Sequence, residues 1–220
     1  MKKKKLKILI ISIIIVIAIF FVVKYLRTPD IALDPIKLAD PFLGPKNAEI
    51  VIVEYSEFQC PYCIAAFGTH DSLVQKFKSQ MPNWEPAVPG LEKLAREGKI
   101  KFVFKHFPLT SHKYAQKAAE ASEAANAQGK FWEYHDALFE RKGVFDVDDL
   151  IEIAKELDLD VPKFKAELKA GVYARSVRDD MREGQRLGVS GTPAFLINGK
   201  LIEGAQPFSV FEEIILKLEE

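Results

Sequence analysis

The chain has 220 residues, with 31 Lys and Arg against 31 Asp and Glu, and two cysteines. That balance hides a division, because residues 1–27 hold seven basic residues and no acid, leaving 24 basic against 31 acidic residues and a formal charge of −7 beyond them. An acidic remainder argues against nucleic acid as a partner, and its length can bury a core without disulfide staples, so the lone cysteine pair is not needed as scaffolding.

Residues 1–7 read MKKKKLK, and Ile8–Val23 is a run of sixteen uncharged residues followed by Lys24, Tyr25 and Arg27. A basic, apolar, aromatic-flanked segment of this kind reads as a membrane signal, with the lysine excess placing the N-terminus in the cytoplasm. No small-x-small cleavage site follows the run, so an uncleaved single-pass anchor through residues 8–26 is expected rather than a removed leader. Residues 1–27 are thus a cytoplasmic basic tail and transmembrane anchor, and the domain beyond them lies on the extracytoplasmic side of the cell membrane. The next segment, TPDIALDPIKLADPFLGPKNA, is rich in Pro, Asp and Gly and lacks a helical period. Its composition reads as loop, with a linker over 28–45 that holds the domain off the membrane.

Residues 49–55, EIVIVEY, predict a buried strand, and SEFQC leads from it into a helix that the pattern IAAFGTHDSLVQKFKSQ extends to residue 80. Three prolines in MPNWEPAVPG break it, LEKLAREGK resumes helix, and IKFVFKHF at 100–107 predicts a second strand. From about 111 to 187 the texture is Ala, Glu and Lys at helical spacing, with Gly129 as a stop and Asp146 and Asp160 as candidate N-caps. Phe131, Trp132, Tyr134, Leu138 and Phe139 are the expected core of this helical block. Residues 193–203 return to strand around Asn198-Gly199, a pair that favours a type I′ hairpin turn, and an amphipathic helix closes the chain.

The two cysteines stand in FQCPYC, where strand hands over to helix. A structural crosslink, half of a zinc site and redox chemistry all use such a pair. Zinc requires two further ligands, and His70, His106, His112 and His135 share no ligand spacing; they read as surface or capping residues, and no metal or other cofactor is expected. At a helix start the first thiol meets the positive end of the helix dipole and unpaired backbone N–H groups, which favour its thiolate. The second, one turn in, is placed to close the ring and release a mixed disulfide. Cys60 is therefore the expected attacking thiol, exposed, and Cys63 the resolving one, with Pro61 at a position where a missing N–H costs nothing. Glu54, among Val51, Ile52, Val53 and Tyr55, is expected to be buried, with a raised pKa, and to relay the proton of Cys63. Lys105 in the neighbouring strand is its candidate partner. Phe58 and Tyr62 flank the thiol and are expected to line a shallow apolar groove.

EIVIVEYSEFQCPYC, KFVFKHFPL, AAEASEAANAQGKFWEYHDALF and VSGTPAFLINGK together resemble the DsbA-like thiol-disulfide oxidoreductases of the thioredoxin superfamily. The resemblance covers about residues 46–220 and implies an α/β thioredoxin fold interrupted by an all-helical subdomain, here preceded by the anchor. It implies dithiol-disulfide exchange on unfolded or reduced exported proteins, with a membrane redox partner. It also implies that Pro193 is cis beside the cysteines and that Thr192 offers backbone hydrogen bonds to a substrate peptide. Pro61 and Tyr62, next to the first thiol, are expected to border the same site. An oxidase is the expected role and a monomer the expected state. The dipeptide is Pro-Tyr where well-known oxidases carry Pro-His, so a disulfide reductase or isomerase is the alternative direction; a tethered peptide-binding chaperone that holds extended peptides in its groove is the alternative from another class.

Overall fold

The computed structural model describes residues 40–220. The basic tail and apolar run read as an anchor, and most of the linker, lie outside the described residues. Among those described, no helix is long and apolar enough to cross a membrane.

Five strands form one mixed sheet of a thioredoxin-like α/β fold: β1 (Phe42–Leu43), β2 (Val51–Ser56), β3 (Lys101–His106), β4 (Ala194–Ile197) and β5 (Lys200–Glu203), in the order β1-β3-β2-β4-β5. Only β2 and β3 run parallel, with Val51 opposite Lys101 and Ser56 opposite His106. Parallel neighbours need a crossover, supplied by α1 (Pro61–Phe67), α2 (Asp71–Gln80) and α3 (Ala87–Arg96). Between β3 and β4 come α4 (Ala115–Asn126), α5 (Phe131–Glu140), α6 (Val147–Glu156), α7 (Val161–Ala170) and α8 (Ala174–Arg186), and α9 (Phe208–Glu219) ends the chain.

β1 corrects the linker boundary at residue 45. Phe42 and Leu43 pair antiparallel with Val103 and Phe102, and the Pro41 carbonyl accepts from Phe104 N–H at 3.0 Å. Two residues between Pro41 and Gly44-Pro45 are too few to show alternation, so their strand character arises from pairing alone. The single helix expected after the cysteines is two. Gly68, at φ 102°, ends α1 while the N–H groups of Gly68 and Thr69 both return to the Ile64 carbonyl, and the His70 ring then caps α2 by accepting from Leu73 N–H. α3 starts earlier than its sequence suggests, because Pro89 falls in the first turn, where an N–H has no helical acceptor.

Local signals elsewhere match local structure. Asp146 and Asp149 form a reciprocal capping box on α6, and Asp160 accepts from Lys163 N–H at the start of α7; such caps contribute about 1 kcal/mol each. Asn198 and Gly199 take φ 44° and 85°, the positive values that a type I′ turn requires.

The sheet separates two environments. One face carries Ile52, Phe102, Phe195 and Ile197 under Leu91, Ala95, Phe211 and Ile215 of α3 and α9. On the same face Phe104 meets Phe58, Cys63 and Ile64 together with Ala121, Tyr134, Leu138 and Phe139. Phe131, Tyr134, Leu138 and Phe139 are buried and Trp132 partly so, but they are not a separate core: they pack against the segment that carries the cysteines. The opposite face holds Val53, Tyr55, Val103, Ala194 and Leu196, with Met181 and Leu187 from α8 and its end against it.

Candidate active site

β2 ends at Ser56, and Cys60 becomes the N-cap of α1 with extended backbone (φ −68°, ψ 120°) and Pro61 as its first helical residue. Both cysteines are thiols. Cys60 was expected to be exposed; its residue is only 3 % exposed and Cys63 is fully buried. The cause is the segment leading into β4. Tyr55 pairs with Ala194 across the sheet, which lays Thr192-Pro193 against the cysteines, and the Cys60 thiol donates to the Thr192 carbonyl at 3.3 Å. The Thr192–Pro193 peptide is cis, and the buried Thr192 hydroxyl acts on both sulfurs.

The two thiols are driven apart electrostatically. The Cys63 thiol donating to Cys60 is the largest influence on it; burial opposes, while Thr192 and the backbone N–H groups of Cys63 and Tyr62 assist, and the result brings Cys60 down to about 6. Burial, followed by the neighbouring Cys60 sulfur, pushes Cys63 well above the ordinary thiol range. The preference for a thiolate at Cys60 thus comes from its partner thiol and the first-turn N–H groups, more specific donors than the dipole argument names.

Glu54 lies two residues before Ser56 on the same face of β2, almost fully buried, and both its oxygens lack a hydrogen-bond partner among the described residues. Burial, with Glu92 adding repulsion and Ser56 opposing, raises it to about 8. Ser56 also acts on Cys63, so the acid and the inner thiol share one polar neighbour. Lys105 is not the partner of Glu54. Glu54 stands opposite Phe104 and Tyr55 opposite Lys105, and successive strand residues face opposite sides. Lys105 instead meets Asp40 at 2.6 Å, Asp180 at 3.2 Å and Glu183 at 3.6 Å on the far face.

Around the entrance, Pro61 is half-buried and Tyr62 is 50 % exposed, its ring stacked on Phe77 at 6.5 Å. Phe58 cannot line a groove: it is fully buried and stacks on Phe104 at 5.6 Å. The histidine reading also needs correction beyond His70. His106 and His135 are buried, and His135 sits among the rings of Phe104, Trp132 and Phe139 at 5.0, 5.1 and 4.8 Å.

Two polar residues, Glu57 and Gln59, escaped the sequence reading. Glu57 is buried, accepts from Gln59 N–H at 2.7 Å, and contacts His112 Nδ1 through its other oxygen. Gln59 accepts from Tyr114 N–H at 2.7 Å and donates to the Gly143 carbonyl at 3.1 Å. The turn that presents Cys60 is therefore tied to the segment after β3 and to the end of α5. An acid three residues before the first cysteine was visible in SEFQC; its partner 55 residues later was not.

A model of the DSBA-like thioredoxin domain matches residues 51–216. An Na(+)/H(+) antiporter NhaA 1 of Salinispora arenicola is 38 % identical over 167 residues, 76 % of this chain and 22 % of that protein. An Na(+)/H(+) antiporter NhaA of Herminiimonas arsenicoxydans is 32 % identical over 166 residues, again 76 % of this chain and 23 % of that protein. The chain thus spans about a quarter of the length of these curated relatives, whose names describe proteins lying mostly outside the match. Among solved structures, the thiol-disulfide exchange protein alpha-DsbA2 from Wolbachia pipientis superposes with a TM-score of 0.67 at 23 % identity, over 83 % of this chain and 88 % of that one. BdbD from Bacillus subtilis, oxidised, gives 0.65 at 24 % identity over 83 % and 94 %. At these identities the likeness is one of fold.

Proposed function

This chain belongs to the DsbA-like thioredoxin-domain family, and from that premise we propose that it is a protein thiol-disulfide oxidoreductase that donates a Cys60–Cys63 disulfide to reduced exported proteins. The observation that carries this is the split between the two thiols, Cys60 lowered to about 6 and Cys63 raised well above the ordinary range, beside Thr192-Pro193.

In the oxidised enzyme a substrate thiolate attacks Cys60 Sγ, the Cys60–Cys63 bond breaks, and Cys63 leaves with the electron pair. Cys63 sulfur is buried and disfavours charge, so it takes a proton, and Glu54, raised to about 8 and therefore largely protonated at neutral pH, is the nearby donor, with Ser56 as their shared neighbour. A second substrate thiolate then attacks the substrate sulfur of the mixed disulfide, releasing Cys60 as a thiolate. Two substrate thiols lose two electrons and the cysteine pair gains them. Thr192, Pro193, Pro61 and Tyr62 border the sulfur that joins the substrate, and Tyr62 offers the exposed apolar surface there.

A Cys60 pKa of about 6 favours the reduced form at pH 7. Against a thiol of ordinary pKa the gain is roughly 1.4 kcal/mol, or about 30 mV for two electrons. That supports the oxidase direction. The apolar run after the basic N-terminus supports a tether, with the domain outside the cytoplasm, and reoxidation then calls for a membrane partner that accepts electrons from the dithiol. The test is stoichiometric oxidation of a reduced peptide dithiol by the purified protein, lost in Cys60→Ser, together with equilibration against glutathione. A potential at or below that of thioredoxin, about −270 mV, would assign the protein to reduction instead. Carbonate-resistant membrane fractionation of the full chain tests the tether.

A further inference from the structure

Cys60 is reached by charge from four directions. Cys63 faces it along α1, the Thr192 carbonyl from the segment before β4, the Tyr62 N–H from the first turn, and Glu57 from its own turn, with His112 behind Glu57. Of these, Glu57 is the carboxylate, and its side chain meets the His112 ring. Glu57 is buried, and its carboxylate is shared between Gln59 N–H at 2.7 Å and the His112 ring. His112 comes from the segment between β3 and α4 and keeps 26 % of its side chain in solvent. Its ring thus links the turn to the outside. Burial raises Glu57, His112 pulls it back, and Cys60 repels it. Repulsion between two groups is mutual, so Glu57 opposes the Cys60 thiolate as much as the thiolate opposes Glu57.

We propose that Glu57 and His112 form an electrostatic couple that sets the charge state of the reacting sulfur, Glu57 disfavouring the Cys60 thiolate and His112 offsetting Glu57. The inference rests on Cys60 as the attacking thiol. It assigns to a ring delivered from another segment the cationic role that Tyr62 cannot play. Gln59, held by Tyr114 N–H and the Gly143 carbonyl, keeps the turn in register so that the couple stays beside the sulfur. Both residues are positioning residues, acting through Cys60.

The test is titration of the Cys60 thiolate absorbance in the reduced protein, which needs no enzyme activity and so fails independently of the oxidase reading. Glu57→Gln keeps the shape and removes the negative charge; the midpoint should fall by about half a unit to one unit, roughly three- to tenfold in the thiolate-to-thiol ratio. His112→Asn keeps a donor to Glu57 and removes the ring's capacity for positive charge; the midpoint should rise by a similar amount. The double variant should return close to the parent. A purely structural role loosens the same turn in either variant and moves both midpoints the same way, so equal-sign shifts, or no shift in either, overturn the proposal. Should Glu57→Gln fail to fold, Glu57→Ser supplies the neutral acceptor, and a rise in its midpoint counts against the couple.

Discussion

Glu54 and Lys105 lie on adjacent parallel strands and on opposite faces of the sheet, because Glu54 stands opposite Phe104 while Lys105 stands opposite Tyr55. Among the described residues the oxygens of the acid beneath the cysteines have no hydrogen-bond partner, and the lysine belongs to a second buried centre. There Asp180, Asp40 and Glu183 overcome the burial penalty and hold Lys105 above its ordinary value, and Tyr55 donates to Glu183 at 2.7 Å. Lys105→Met leaves these carboxylates facing one another without their ammonium. It should lower stability by about 3–5 kcal/mol while leaving the Cys60 titration unmoved. Urea unfolding and thiolate absorbance on the same variant check both halves.

Glu54 makes the folded state a better proton binder than the unfolded one, because burial raises it from 4.5 to about 8. Stability should thus decline as pH rises between those values, the reverse of an ordinary paired carboxylate, with an upper bound of roughly 4–5 kcal/mol. Glu54→Gln should flatten that decline and stabilise the protein at pH 8. It should also slow formation of the mixed disulfide near neutrality, because Cys63 then leaves without its proton donor. Unfolding midpoints from pH 5 to 9 give the first result and quenched-flow trapping the second. A variant with the parent's pH slope would show that Glu54 does not carry it.

Because the Cys63 thiol is the first influence holding Cys60 near 6, the choice of substitution at Cys63 matters. Cys63→Ser keeps a hydroxyl donor and should retain a low Cys60 midpoint while trapping mixed disulfides. Cys63→Ala removes the donor and should move the midpoint toward the ordinary thiol value of about 8.5. Cys60→Ser should trap nothing. Thiolate absorbance and non-reducing gels separate these outcomes.

Phe58 and Tyr62 flank the same thiol in sequence and differ completely in burial. Phe58→Ala opens a cavity among Phe104, Phe139 and the cysteines and should cost about 3–5 kcal/mol. Tyr62→Ala removes a half-exposed ring and should change stability by less than about 1 kcal/mol while weakening exchange with peptide substrates. Denaturation and the KM for a dithiol peptide make the comparison.

What the sequence conveyed depended on distance along the chain. Cys60, Pro61 and Cys63 are bound to their helix by adjacent residues, and Asp146, Asp160 and Asn198-Gly199 act within three residues of themselves, so all were legible. Glu54 was legible as a buried acid because the strand around it is apolar. Its supposed pairing with Lys105 was not, since the face of a strand residue depends on a register set by the intervening helices. Cys60 was misjudged for a similar reason: the residue that covers it, Thr192, is 132 positions away. Phe58, His106 and His135 were misplaced because the helices after β3 pack onto the cysteine segment itself, which no local periodicity announces.

The placement of β1 also decides where this domain can be cut. A chain beginning at residue 46, the boundary suggested by sequence, would lack Asp40 and the Pro41 carbonyl that receives Phe104 N–H. Lys105 would lose its closest carboxylate, and β3 would become a bare edge with the Phe104 N–H unpaired. Such an edge recruits strands from other molecules. A chain beginning at residue 40 retains its own cover, so the short segment ahead of β2 belongs to the fold, and keeping it should guard against self-association.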